Sequence, residues 1–465
     1  MKRREHNRGH TVWPFLTLLV VLSALHGPAG AEGQTRPASH GSYLPGQIIV
    51  KLRRPVTLQH LQLRTSGGRS RVVGHIPQLR ITLLQVPPGS ERTAIAQLLS
   101  DPAVEYAELN YRARALDTPD DPSWPQQWAL PKILCPEAWD ITHCQGTVVA
   151  AVDTGVDVEH PDLSNVLWVN LGEVPDNGID DDGNGKVDDI HGWHFFHQED
   201  GSGYEPRDDA VIEDDNGHGT HVSGIMAAET NNGLGITGVS WGARVMTVKV
   251  LDAQGEGLYS DVARGIIYAV DNGAQIINLS LGGEEPSQTL QNAVDYASQH
   301  GALMVAASGN DGGSVLYPAA LEEVMAIAAT NSDDEWRDWS NHGPEIDIAA
   351  PGISIFSTEP WGDGYSYRGG TSMAAAHVSG AAALLWSWRP DYSSTLIQRT
   401  LESQADDVNA ATYPGHDPYL GWGRLNIYRA LSAPEPSPTP TPTRTPTPWY
   451  ICILMPIYKS AGPLP

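Results

Sequence analysis

The chain has 465 residues, 40% of them hydrophobic, enough for one large domain with smaller attachments. Its net charge of −26 is uneven: residues 1–116 hold 15 Lys/Arg against 6 Asp/Glu (+9), and the remainder holds 14 against 49 (−35). So acidic a body lacks the basic face that nucleic-acid binding needs, which excludes that class; it suits cation binding and attraction of its own basic leader, with plain solubility as the alternative for much of the surface.

Residues 1–31 have the layout of an export signal. Lys2, Arg3 and Arg4 form the positive end, 13–25 is a short apolar core, and Ala29-Gly30-Ala31 is an A-x-A cleavage site. The apolar run is shorter than the roughly 20 residues that span a bilayer, so a secreted protein is expected rather than an anchored one. Export permits disulfides. Cys135 and Cys144 are close enough in sequence to pair, and Cys452 has no evident partner.

Residues 32–116 form a candidate pro-segment. Strand-like alternation at 47–52, 81–86 and 104–111, with a short amphipathic helix at 91–99, predicts a small α+β unit of the split βαβ kind. Its place after the signal and its opposite charge favour a pro-segment over an ordinary structural domain.

Residues 117–432 alternate buried strands (147–152, 244–251, 275–279, 303–307, 324–329) with helices (218–229, 258–272, 287–300, 372–388). That pattern predicts an α/β fold, a parallel sheet with helices on both faces, whose ligand site lies at the carboxyl ends of the strands. Residues 433–448, "APEPSPTPTPTRTPTP", form an extended Pro/Thr linker. Residues 449–465 form a short apolar tail, too short to span a membrane but a candidate for cell-surface association.

Three polar residues stand at ends of the predicted elements: Asp153 closes a strand, His218 opens a helix, and Ser372 opens another. Serine is a weak nucleophile unless a base lies within hydrogen-bond reach and a carboxylate orients that base. A helix start also offers free N–H groups to a developing oxyanion.

The motifs "AAVDTGVDVEHPDL" (150–163), "NGHGTHVSG" (216–224), "VAASGN" (305–310) and "GGTSMAAAHVSG" (369–380) resemble those of the subtilisin-like serine proteases, most closely the thermitase-like branch. The order Asp, His, Ser is that of subtilisin itself. The resemblance covers roughly residues 119–430 and implies a secreted, calcium-stabilised endopeptidase acting on proteins or peptides through an acyl-enzyme. It assigns Asp153 to orient the imidazole, His218 to act as base and then acid, Ser372 to attack, and Asn310 to bind the oxyanion. His221, one turn beyond His218, lacks the further ligand and glutamate of a zinc helix and is read as structural. Segments 254–260 (Gly255, Glu256, Gly257) and 278–283 (Ser280, Leu281, Gly282) resemble the two edges between which substrate adds as a strand; the second also reads as a buried strand ending in a turn.

Two regions suggest Ca2+. "GIDDDGNGKVDD" (178–189) matches the front of an EF-hand loop, with Asp180, Asp182 and Asn184 at alternate positions and Gly185 at the turn. His191 stands where the closing glutamate belongs, so Asp188 or Asp189 is expected to substitute. The resemblance adds a second site at Asp121, Asp162 and Asn232. It also implies that the pro-segment serves as intramolecular chaperone and inhibitor of a self-processing zymogen, with a monomer expected. The family's usual proline is replaced by Ala376, expected in the first helical turn, where proline costs little. That change leaves open a ligase or transpeptidase; an inactive calcium-dependent binding protein is the other alternative, disfavoured by retention of Asp153, His218, Ser372 and Asn310.

Overall fold

The computed structural model describes residues 43–53, 70–111, 118–199, 204–361 and 364–434. The chain divides into two compact units, Met1–Ala115 and Leu116–Pro465. The export signal, the apolar tail with Cys452, and nearly all of the Pro/Thr linker lie outside the described residues.

In the first unit, β1 (Tyr43–Leu52), β2 (Arg71–Ile76), β3 (Ile81–Gln85) and β4 (Val104–Tyr111) form an antiparallel sheet in the order β2-β3-β1-β4. The period-2 pattern of β1 turns Ile48 and Val50 inward, against Leu84 of β3 and against Ala94 and Leu98 of α1 (Glu91–Leu99). This is the expected α+β arrangement. The helix expected between its first two strands would fall in 54–69, outside the described residues.

The second unit is built on eight strands: β5 (Val148–Asp153), β6 (Gly192–Glu199), β7 (Tyr204–Asp209), β8 (Arg244–Lys249), β9 (Ile276–Leu279), β10 (Leu303–Ala307), β11 (Val324–Thr330) and β12 (Ile346–Pro351). Their order is β12-β11-β10-β9-β5-β8-β6-β7, parallel except for the β6–β7 hairpin. The longer helices are α2 (His218–Ala227), α3 (Tyr259–Asp271), α4 (Gln288–Gln299), α5 (Thr371–Trp388) and α6 (Ser394–Ser403). Alternation along β5 shows both faces covered. Val149 and Ala151 join a core with Val222 of α2 and Val378 of α5, whereas Ala150 and Val152 join one with Ile266 of α3 and Val294 of α4. Helix α5 is buried nearly all round, and its run of alanines lets it pass through the core close to the strands.

The edge strand β12, a short apolar run ending in proline, was not anticipated, nor were the β6–β7 hairpin and a second hairpin, β13 (Ile355–Thr358) with β14 (Tyr365–Arg368), whose short polar and aromatic runs carry no clean alternation. Cys135 and Cys144 do not pair: both are free and buried, and the Cys144 thiol points to the Ala383 carbonyl at 3.6 Å. Ala376 also corrects the sequence reading. Helix α5 begins at Thr371, so Ala376 is its sixth residue, beyond the four N–H groups that lack helical partners. No described helix is long and apolar enough to cross a membrane.

Candidate active site

Connections run outward from β5 in both directions, with β8 on one side and β9 on the other. Such a switch opens a crevice at the carboxyl ends of the strands. Asp153 is the last residue of β5, and Ser280 follows the last residue of β9. Asn310 comes three residues after β10, while His218 opens α2 and Ser372 is the second residue of α5.

Asp153 is fully buried, and its Oδ1 accepts from His218 Nδ1 at 2.7 Å and from the Thr154 N–H at 2.8 Å. Burial opposes charge on His218, but the Asp153 carboxylate outweighs it and holds the imidazole above its ordinary pKa. The imidazole side chain keeps 22% of its surface exposed, so it faces the crevice. Ser372 Oγ donates to the Ser280 carbonyl at 3.2 Å, and Ser280 Oγ donates to the Ser372 carbonyl at 2.9 Å. Ser280 is held in turn by Asn278 Nδ2 at 2.9 Å, and the Asn278 oxygen accepts from Ser379 Oγ one turn beyond Ala376. The structure thus joins Asp153 to His218 directly and places the Ser372 hydroxyl on the β9 edge.

Asp214, which the sequence reading missed, organises the start of α2. Its Oδ1 accepts from the Gly217 N–H and from Thr154 Oγ1, both at 2.8 Å; its Oδ2 accepts from Thr220 N–H and Oγ1 at 2.9 and 2.7 Å. Burial alone would raise this carboxyl, but the Thr220 and Gly217 bonds bring it below the usual carboxylate range. The only local signal was an aspartate four residues before a helix-opening histidine. His221 is fully buried, and its Nε2 lies 3.2 Å from the Ile355 carbonyl and 3.3 Å from that of Ser366. Burial, then Arg368 and His218, pull its pKa down to about 3, so it is neutral and pins α2 to the β13–β14 hairpin.

Asn310 Oδ1 accepts from the Thr371 N–H at 2.9 Å and from Thr371 Oγ1 at 3.0 Å. Two donors on that oxygen settle the amide's orientation and turn Nδ2 toward Gly370, where an added Cβ would sit 3.4 Å from it. Leu281 and Gly282 lie past the end of β9, and neither N–H meets a backbone partner among the described residues. Gly255, Glu256 and Gly257 follow β8 in a turn closed by the Asp252 N–H to Glu256 carbonyl bond at 2.9 Å. Gly257 has no room for a side chain, since a Cβ would lie 2.3 Å from the Val250 carbonyl. From the first segment, the Tyr259 hydroxyl donates to the Glu285 carbonyl at 3.1 Å, two residues past the second.

The acidic loop is arranged differently from a simple EF-hand. Asp180 turns back on its own loop, accepting from Gly183, Asn184 and Gly185 N–H groups, and Asp188 accepts from Asn177 and Gly178 N–H groups. Asp182 instead converges with Glu173 and Asp189, with one oxygen from each within 4.8 Å of the others. Asn184 Nδ2 donates to Asp182 and Asp189, and Tyr268 OH donates to Asp189 at 2.6 Å. An all-carboxylate donor set suits a hard cation such as Ca2+ rather than Zn2+. Glu173 was missed because it stands before the loop. In the other region, Asn232 N–H donates to Asp121 at 3.3 Å and its Nδ2 to Asp162 at 2.8 Å, so all three expected residues meet. Asp121 and Asp162 are both buried; burial, and secondarily the Asp162 charge, raise the Asp121 carboxyl.

Residues 144–423 match the subtilase family, and residues 29–110 match the fervidolysin N-terminal prodomain. The chain is similar to the thermophilic serine proteinase of Bacillus sp. (strain AK1), 35% identical over 91% of this chain and 96% of that protein. It is similar to thermitase of Thermoactinomyces vulgaris, 39% identical over 68% of this chain and 99% of that one. Among solved structures, a protease from Pseudoalteromonas arctica PAMC 21717 has a TM-score of 0.57 at 31% identity, covering 68% of this chain and 99% of its own.

Proposed function

Because this chain belongs to the subtilase family, and is a serine endopeptidase made with a prodomain as a zymogen, we propose that Asp153, His218, Ser372 and Asn310 carry its chemistry. The observation that supports this most is the 2.7 Å bond between His218 Nδ1 and buried Asp153, at the crevice where Ser372 is the second residue of α5. His218 Nε2 takes the Ser372 proton as Oγ leaves the Ser280 carbonyl and attacks the scissile carbonyl. Asn310 Nδ2 and the Ser372 N–H hold the resulting oxyanion. His218 then protonates the leaving amine, and water repeats the sequence on the acyl-enzyme. Substrate lies as a strand between Gly255–Glu256–Gly257 and Ser280–Leu281–Gly282, a reading supported by the Leu281 and Gly282 N–H groups, which meet no backbone partner among the described residues.

The enzyme is also a Ca2+ protein in this reading. Glu173, Asp182 and Asp189, held by Asn184, would bind one ion; Asp121, Asp162 and Asn232 would bind another. The ions would neutralise crowded carboxylates and cross-link loops. Residues 1–31 direct secretion, 32–116 act as chaperone and inhibitor, and 117–432 form a monomeric catalytic domain. The linker at 433–448 carries a tail, 449–465, that serves surface association. Ser372→Ala tests the catalytic core of this reading: kcat should fall about 10⁶-fold, the loss a nucleophile knock-out produces in subtilisin, while the far-ultraviolet circular dichroism stays unchanged. Near-normal turnover by a pure Ser372→Ala protein would contradict it.

A further inference from the structure

An ion pair that the triad does not use stands against the turn that launches α2. Arg368 is the last residue of β14, and its guanidinium grips Glu359 with two donors, Nε to Oε1 and Nη2 to Oε2 at 2.9 Å. The same Nη2 donates to the Asn216 carbonyl at 3.4 Å, two residues before His218. Glu359 is only 8% exposed and also accepts from Ser366 Oγ at 2.7 Å. The packing is close enough to require glycine in the turn. Gly217 has φ +90°, and a Cβ on it would come within 2.6 Å of both Arg368 Nη2 and Glu359 Oε2.

Charged and titratable groups face His218 from every neighbouring element. Asp153 comes from β5, Asp214 from the preceding turn, His221 from its own helix and Arg368 from β14, while Glu359, from the segment after β13, stands against the adjoining Gly217. His221 is neutral at working pH. Asp153 and Asp214 favour the imidazolium, and Arg368 opposes it. Glu359 carries the opposite charge, paired with Arg368 and against Gly217.

We propose that Arg368 and Glu359 are positioning residues, which brace the Asn216–Gly217 turn and, as a cancelling pair of charges, set the pH at which His218 gains its proton. The two halves then have opposite effects. Removing the cation leaves a buried anion beside the turn and favours the imidazolium; removing the anion leaves an unneutralised cation and disfavours it. In a partly buried site, each shift should be about half a pH unit.

The kinetic consequence rests on His218 being the general base, so the test reads the imidazole directly. The probe is the ring Cε1–H of His218, titrated by NMR in the full Ser372→Ala chain and assigned against His218→Gln. Arg368→Met should raise the midpoint by about half a pH unit and Glu359→Gln should lower it by a similar amount. The double variant should lie close to the parent, and Arg368→Lys should restore most of the parent value. Shifts of the same sign in both single variants, or none in either, overturn the proposal. If Arg368→Met fails to fold, Glu359→Gln carries the test alone, and an unchanged midpoint in it overturns the proposal. The acid limb of kcat/KM in the Ser372-containing proteins should follow the NMR midpoints. A limb that stays fixed while the midpoints move counts against His218 as the base and leaves the ion pair's role standing.

Discussion

The carboxamide oxygen of Asn310 accepts the Thr371 backbone N–H at 2.9 Å, and this bond decides which end of the amide faces the nucleophile. With the oxygen held, only the NH2 group can donate toward the crevice. Asn310→Leu should therefore lower kcat by roughly 10²- to 10³-fold with little change in KM, the loss subtilisin suffers when one oxyanion donor is removed. Thr371→Val keeps the backbone bond but removes the hydroxyl that also holds Asn310, and should cost about tenfold in kcat. Steady-state kinetics on one peptide substrate checks both; an effect confined to KM would make Asn310 a wall of the pocket.

Much of this site was legible because each element carries its polar residue at a terminus on the same sheet edge. Asp153 ends one strand, Ser280 and Asn310 follow two others, His218 begins one helix and Ser372 is the second residue of another. The features that escaped depend on pairing across the chain. Glu173 joins Asp182 and Asp189 only after the loop folds back, and Arg368 meets Asn216 from 152 positions away. The EF-hand spacing shows neither that Glu173 lies beside Asp182 and Asp189 nor that Asp180 and Asp188 accept from nearby N–H groups. Cys135 and Cys144 are near in sequence yet sit as separate buried thiols, a difference that spacing cannot reveal.

Calcium removal should destabilise the fold. In the Ser372→Ala background, which prevents autolysis, excess chelator should lower Tm by several degrees, since only the native state gathers these carboxylates. Asp182→Asn with Glu173→Gln should weaken one site and Asp162→Asn the other, each seen as a lost binding step by calorimetry. Asp180→Asn should leave the stoichiometry unchanged. Full retention of Tm in chelator after prolonged dialysis would count against both sites.

Asp347 on β12 gives a pH dependence that is separate from catalysis. Burial, offset in part by the Ala326 N–H and reinforced by Glu402, pushes its carboxyl up to about 7. The folded state therefore holds a proton that the unfolded chain releases near pH 4. Stability from this group is fully present at pH 4 and below, is lost as pH rises toward 7, and changes little above that. Asp347→Asn escapes this loss. Its Tm should match the parent near pH 4, exceed it increasingly up to about pH 7, and hold a constant margin beyond. A margin independent of pH would show that Asp347 ionises normally.

Maturation should be autocatalytic. The basic pro-segment precedes an acidic body, and the strand β4 ends at Tyr111, just before the body begins. Self-cleavage is expected between Tyr111 and Asp121, with the freed segment inhibiting the enzyme more weakly as salt rises, because screening shortens the reach of the charges. N-terminal sequencing of the processed enzyme, alongside Ser372→Ala made in a protease-free host, checks this. Normal processing of Ser372→Ala would mean that another protease makes the cut.

The central claim is that Ser372 is the nucleophile, activated by His218 and Asp153, and a fluorophosphonate titration with adduct mapping tests it most directly. One phosphonyl group per molecule should appear on Ser372, with activity lost in proportion. Labelling should vanish in Ser372→Ala and slow by orders of magnitude in His218→Ala. Stoichiometric labelling of another residue, or full proteolytic activity after complete modification of Ser372, would contradict the account.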